Sequence, residues 1–476
     1  MARPARQSCR QCQQLQAQVN ALQARVDALL AEVTQLREQL AAAKKNSSTS
    51  SKPPSSDIVK PPADDSSSPR PAGGQPGHPK HKRAPFPPEQ VTCFEEHLLQ
   101  VCPCCGGGLR RNGHLARVVQ QVEIAKPPLT IEQHTSPEFW CVRCQKAYKA
   151  PPPSAIEKGG LVGPQLTALI AYLKGACHAS YSTVRKFLRD VVGLSISRGQ
   201  LAKVIAKVSA ALDGPYQELL PLLAREARLN VDETGHKDNG TPMWTWCFRA
   251  ELYTLFKIDP SRSGDVLIEV LGAEFDGVLG CDYFSAYRRY QREFGVLLQF
   301  CLAHLIRDVK YLTTLPDARD RAYGERLREA LRRLFGVIHE REGSSALVFQ
   351  RRLEAAGAEV LRCGTQGVPE TRASRTLAQR FAKHGSSYFL FITTPGVEPT
   401  NNLAEQAIRF VVLDRLVTQG TRSEAGNRWC ERIWTVIATC GQQGRSVFTY
   451  LEAAVGAWFA GTGAPSLLPG GGVSRE

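Results

Sequence analysis

The stretch Arg228-Leu-Asn-Val-Asp-Glu-Thr234 constrains this chain more than any other. Leu229 and Val231 alternate with polar residues, which is the period of a half-buried strand. The run closes on Asp232, placed near the strand's carboxyl end just before a polar turn. A strand fixes the direction of such an acid, and the adjoining loop leaves room for a ligand. Asp282 closes a second apolar run, Gly277-Val-Leu-Gly-Cys-Asp282, in the same way. Glu405 lies in Thr400-Asn-Asn-Leu-Ala-Glu-Gln-Ala-Ile-Arg409, which has the pattern of a helix's first turns.

Further strand candidates are Met243–Arg249, Tyr253–Ile258 and Val296–Cys301. Helix candidates are Gly264–Leu271, Tyr287–Phe294 and His304–Leu315. The order βββαβαβα is that of an RNase H-like fold, a mixed sheet flanked by helices. In that fold the first and fourth strands are neighbours, so Asp232 and Asp282 are expected side by side. A charged, helix-rich block from about 317 to 390 reads as a helical insertion before the element carrying Glu405.

Two aspartates and a glutamate on neighbouring elements suit two-metal phosphoryl transfer, with two Mg²⁺ roughly 4 Å apart. Mg²⁺, or Mn²⁺ in its place, is a hard cation that prefers such oxygen ligands. Asp232 is expected to bridge both ions, Asp282 to hold one and Glu405 the other. Two alternatives stand beside this. Glu233 is a possible ligand in place of Asp232, since strand alternation points the two to opposite faces. Asn402-Leu-Ala-Glu405 is also a capping pattern, and a carboxylate that reaches back to the helix amides is not free for metal.

Residues 1–43 carry a heptad, with Leu15, Leu22, Leu29 and Leu36 at d and Val19, Val26, Val33 and Leu40 at a. Val at a with Leu at d favours a parallel two-stranded coiled coil, hence a homodimer or higher assembly. From 44 to 90, Ser, Pro, Gly and charged residues dominate, the composition of a disordered linker. In the expected zinc-binding domain, 91–150, Cys102, Cys105, Cys141 and Cys144 form two CxxC pairs, the spacing of a closed structural zinc site. Cys104 is read as a bystander, with its replacement of one of the four ligands as the alternative, and Val118–Ile124 and Thr130–His134 read as strands of a small ribbon.

Residues 155–215 read as helical. Ser182–Val192, a turn at Gly193–Ser195 and Ser197–Val208 give a helix-turn-helix pattern. Arg198, Gln200 and Lys203 are of the types that contact grooves and phosphates, although plain helical packing gives the same pattern. His304, in Cys301-Leu-Ala-His-Leu-Ile-Arg307, suits a phosphate contact or a structural role, and Arg307 and Arg409 join the candidate DNA contacts. The catalytic domain is expected over 216–460, followed by a disordered tail at 461–476.

Charge supports a polyanionic partner: 60 basic residues against 45 acidic give +15. No apolar run approaches the roughly 20 residues of a spanning helix, and no apolar segment follows the basic N-terminus. A cytoplasmic protein without membrane attachment is expected. Its 15 cysteines then serve as thiols or metal ligands, not as a disulfide framework.

Nearly the whole chain resembles the TnpC-type DDE transposases of bacterial insertion sequences, in the insertion-sequence sixty-six family. The residues that carry the resemblance are the zipper, Lys45-Asn-Ser-Ser-Thr-Ser-Ser-Lys-Pro-Pro-Ser-Ser-Asp57, Cys102-Pro-Cys-Cys-Gly106 and Val231-Asp-Glu-Thr234. Cys281-Asp-Tyr-Phe-Ser-Ala-Tyr287, Cys301-Leu-Ala-His304 and Asn401-Asn-Leu-Ala-Glu405 complete it, in that order. The chain departs from the family in having Gln406 in place of Arg and Ile306-Arg307 in place of a double Arg. The resemblance implies a catalytic triad at Asp232, Asp282 and Glu405, Mg²⁺-dependent cleavage and strand transfer, binding to terminal inverted repeats, a DNA target, and helper proteins of the same element. A DNA-binding regulator with a non-catalytic RNase H-like domain is the alternative.

Overall fold

The computed structural model describes residues 10–43, 86–91, 93–94, 104–105, 128–141, 143, 146–340 and 345–469. The chain forms two units, Pro62–His134 and the remainder. In the smaller unit the described residues include a short turn of helix, Pro88–Gln90. Thr130–His134, expected as a strand, belongs to no strand or helix among the described residues, and Val118–Ile124 lies outside them.

In the larger unit, Arg10–Ala43 is one continuous helix. Every a and d residue of its heptad is 43% to 63% exposed, so within one chain the seam is bare. Strands β1 (Glu138–Cys141) and β2 (Lys146–Lys149) pair antiparallel.

The principal sheet has five strands: β3 (Arg228–Asp238), β4 (Thr241–Arg249), β5 (Thr254–Asp259), β6 (Val278–Cys281) and β7 (Leu297–Phe300). Their order is β5-β4-β3-β6-β7. Strands β3, β4 and β5 are antiparallel neighbours, whereas β6 runs parallel to both β3 and β7. Parallel strands need crossovers, and the helices Asp265–Leu271 and Ser285–Phe294 supply them. Val278 to Cys281 is buried throughout, as expected of a strand covered on both faces.

One boundary differs from the sequence reading. Strand β3 does not end at Asp232 but continues to Asp238, which faces Thr241 across a two-residue turn. Asn239 and Gly240 both have positive φ, 48° and 86°. That is the Asn-Gly geometry whose twist matches the strands on either side. The segment Gly235 to Gly240 is therefore the outer half of a hairpin.

Strand β5 lies at the sheet edge, yet its outward amides are not bare. Thr254, Phe256 and Ile258 donate to Thr439 Oγ1, Thr435 Oγ1 and Glu431 Oε1 at 3.1, 3.1 and 2.7 Å. The three acceptors are four residues apart on the helix Glu424–Gln442. They form a stripe along one helix face, so the helix closes an edge that would otherwise be open to another strand.

Helices Pro164–Gly175, Tyr181–Phe187 and Arg198–Ala211 pack as a group with Glu424–Gln442 and Val447–Ala460. The first member of the expected helix pair is shorter than anticipated. It passes into a wider turn at Leu188–Val192 and ends on Gly193 at φ 81°. Ser197 caps the second by accepting from the Gln200 amide at 3.1 Å. Between the sheet and Glu405 lie the helices Ala318–His339, Ala346–Thr365 and Arg372–His384, at the place of the expected insertion. The tail is fixed as far as 469, where disorder was expected from 461. Leu467 is fully buried, and Tyr450 donates to the Pro465 carbonyl at 2.7 Å. No helix among the described residues is long and apolar enough to cross a membrane.

Candidate carboxylate site

Register brings the first two acids together. Arg228, Leu229 and Asn230 of β3 face Val278, Leu279 and Gly280 of β6, after which the ladder ends. Asp232 and Asp282 are each two residues beyond the last paired couple, at the mouth where the strands part. A Cβ on Gly280 would lie 2.5 Å from Asn230 Nδ2, so close pairing at this point requires glycine.

The third acid is delivered by one side chain. Asn401, 1% exposed, donates from Nδ2 to the Val231 carbonyl at 2.8 Å and accepts from Asn230 Nδ2 at 2.9 Å. Its own amide donates to Cys301 Sγ at 3.1 Å. The helix Asn402–Thr418 is thereby fastened to the backbone one residue before Asp232. Asn401, not Asn402, occupies the cap position, and neither side chain makes a capping hydrogen bond there. The capping alternative for Glu405 is corrected accordingly. Its carboxylate faces His304 Nδ1 at 3.4 Å and Arg307 Nη2 at 3.5 Å.

Crowding of like charge marks the site. Burial raises the Asp232 carboxyl well above the usual range, and the charges of Glu233, Asp282 and Glu405 raise it further. Burial pushes Asp282 up to about 6, with Glu233 next in effect. Backbone amides oppose this in part, Glu233 N donating to Asp232 at 3.0 Å and Phe284 N to Asp282 at 2.7 Å.

Glu233, the alternative ligand to Asp232, is a fourth acid at this place. Both of its oxygens are engaged: Oε1 accepts from Arg262 at 2.7 and 3.0 Å, Oε2 from the Tyr287 hydroxyl at 2.5 Å. The Arg262 guanidinium is itself held between the rings of Trp244 and Phe284, 4.5 and 4.0 Å from their centroids. Glu233 therefore acts as a fixed structural anion beside Asp232. Tyr287 and Asn401 stand within the motifs quoted above, whereas Arg262 lies in a turn that carries no sequence signal.

Cys301 Sγ, His304 Nδ1 and a Glu405 oxygen all lie within 4.8 Å of one another, a spacing compatible with a metal. The neighbouring cation argues for another role. Arg307 Nη1 is 3.3 Å from His304 Nε2, and a guanidinium can only donate. The ring proton is thus assigned to Nδ1, which faces Glu405 but makes no hydrogen bond there, and burial lowers the imidazole pKa. Burial likewise pushes the Cys301 thiol up to about 11. The set frames Glu405.

The other expected contacts lie elsewhere. Arg198 and Lys203 are exposed on the helix Arg198–Ala211, and Gln200 is half-buried. Arg409 is exposed one turn beyond Glu405. Of the expected zinc ligands, Cys102 and Cys144 lie outside the described residues, Cys105 is exposed, and Cys141 ends β1.

A mixed sheet flanked by helices thus carries buried acids with raised carboxyl pKa values near the end of its central parallel strands. Residues 159–428, more than half of the chain, match the Transposase IS66 family, and the chain belongs to that family. Residues 1–84 match a family of unknown function, DUF6444. An uncharacterized protein, y4hP, of Sinorhizobium fredii (strain NBRC 101917 / NGR234) is 24% identical over 374 residues. That alignment covers 71% of this chain and 67% of the relative.

Proposed function

We propose that the chain is a DDE-type DNA transposase that cuts the ends of its own element and joins them to target DNA. What supports this is electrostatic proximity: the charges of Asp282 and Glu405 both act on the buried Asp232, and burial raises Asp232 and Asp282 alike. Support also comes from the sheet order β5-β4-β3-β6-β7, which agrees with an RNase H-like fold.

The donor set fits Mg²⁺ or Mn²⁺: hard oxygens whose mutual repulsion a divalent cation relieves. Asp232, Asp282 and Glu405 would hold it. The chemistry that two such ions supply is activation of the attacking oxygen and stabilisation of the leaving one. The protein's own part is positioning. Asn401 sets the helix of Glu405 against β3, His304 and Arg307 aim its carboxylate, and the Arg262–Glu233–Tyr287 group stiffens the wall beside Asp232. Water attack at the element end exposes a 3′-hydroxyl, which then attacks the target phosphodiester.

The bare seam of Arg10–Ala43 would join two chains so that both ends are processed together. Structural zinc at Cys102, Cys105, Cys141 and Cys144 would hold the finger. Arg198, Gln200 and Lys203, with Arg307 and Arg409 nearer the acids, are the proposed contacts to inverted repeats and target. Helper proteins of the element are part of this reading. The test is strand transfer with pre-cut ends, a supercoiled plasmid and Mg²⁺. Joined product from wild type, and none from Asp232→Ala, supports it. End binding without joining, given the helpers, would instead indicate a regulator.

A further inference from the structure

Beside the acids lies a second pocket that the proposed chemistry does not use. It has a volume of about 320 Å³ and is lined by Arg262, Arg288, Arg289, Arg292, Ser263 and Ser285. Its floor is the first turn of the helix Ser285–Phe294, which no side chain caps. First-turn amides and a clustered positive charge both favour an anion. Ser285 is only three residues beyond Asp282, so the pocket adjoins the carboxylate site along the chain.

The four guanidinium groups are not equivalent. Arg262 is held by Glu233, and Arg289 is neutralised by Asp265 at 3.0 Å and Glu293 at 2.9 Å. Arg288 and Arg292 have no acidic partner among the described residues. The Arg288 guanidinium lies 4.3 Å from the Tyr283 ring centroid, and its Nε is buried without a hydrogen-bond partner. Without a carboxylate beside them, Arg288 and Arg292 keep positive charge at the pocket that an oxyanion would neutralise.

We propose that this pocket seats a backbone phosphate of the bound DNA, next along the strand to the phosphate cut at Asp282, and that Arg288 and Arg292 hold it. The proposal rests on the DNA-processing reading of the carboxylate site. A planar guanidinium suits the paired oxygens of a phosphodiester. Holding one phosphate here fixes the strand's register, which places its neighbour against the acids.

The test is equilibrium binding of the full-length protein to a labelled element-end duplex, without divalent metal, over a KCl series. Arg288→Gln/Arg292→Gln should flatten the slope of log K against log salt by about one, the release expected for one lost phosphate. Arg288→Lys/Arg292→Lys keeps the charge and should keep the slope. Arg289→Gln, which removes an already paired charge, should change it little. A wild-type slope in the double Gln variant overturns the proposal, as does an equal loss in Arg289→Gln. Inorganic phosphate at constant ionic strength separates the sources: Arg288-dependent phosphate binding with an unchanged DNA slope would mark a free-phosphate site and overturn it. Failure of the catalytic reading is distinguishable, because joining would then be absent while the slope change persisted.

Discussion

Asp232 and Asp282 stand at the same level of the sheet, two residues past the point where Asn230 faces Gly280 and the parallel ladder of β3 and β6 ends. The two acids are neighbours because of that register, and because both strands release their side chains at the same mouth. Replacing either carboxylate by its amide removes charge while keeping shape. Asp232→Asn and Asp282→Asn should each lower strand transfer by about 10²- to 10³-fold, the loss of several kcal/mol of metal-dependent stabilisation. Plasmid joining measures it, and thermal unfolding should show both variants at least as stable as wild type without metal, since a like-charge repulsion has been removed.

Gly280 tests the register directly. In Gly280→Ala the new methyl would meet Asn230 Nδ2 at 2.5 Å and disturb its bond to Asn401. A loss of about 1 to 3 kcal/mol in stability is expected from such overpacking. Joining should fall further than this implies, because Asn401 positions Glu405. Comparing urea midpoints with the Mn²⁺ concentration for half-maximal joining checks both parts.

The edge of the sheet offers a contrasting site. Thr435→Val keeps volume but leaves the Phe256 amide without its acceptor. A buried donor left unmade costs about 1 to 3 kcal/mol. Urea unfolding should register it, whereas joining below the unfolding temperature should be unchanged. A large loss of joining would mean that the helix Glu424–Gln442 serves the site as well as the edge.

His236 supplies a pH dependence far from the acids. Burial lowers its pKa from 6.5 to about 4, and Arg415 lowers it further. The folded protein therefore binds fewer protons than the unfolded chain between those values, and stability falls as pH drops from 6.5 towards 4. At about 1.4 kcal/mol per unit, the whole window amounts to roughly 3 kcal/mol. Urea unfolding at pH 7 and pH 5 should show part of this loss, and His236→Gln should reduce the difference.

The coiled coil is tested by charge on its seam. Leu22→Glu/Leu29→Glu places acids at two d positions, and light scattering should show a dimer for wild type and a monomer for the variant if the proposed seam joins two chains. Cutting at single ends should persist while paired-end joining falls.

Much of this protein was legible in the sequence because its signals are local. Period-two alternation marked the strands, the heptad marked the N-terminal helix, and quoted motifs marked Asp232, Asp282 and Glu405. The Asn-Gly pair at 239–240 was a local signal too, and it explains why β3 runs on to Asp238. Other features join residues far apart in the chain, and no window of sequence contains them. Asn401 reaches Val231, Arg262 takes Glu233, and Glu431, Thr435 and Thr439 cover the amides of β5. The sequence by itself determined which segments are strands and helices and which acids are available, since period and residue type are properties of neighbours. Only the tertiary structure decided which acid is free and which is held, because that choice depends on a guanidinium, an amide or a ring brought there by packing.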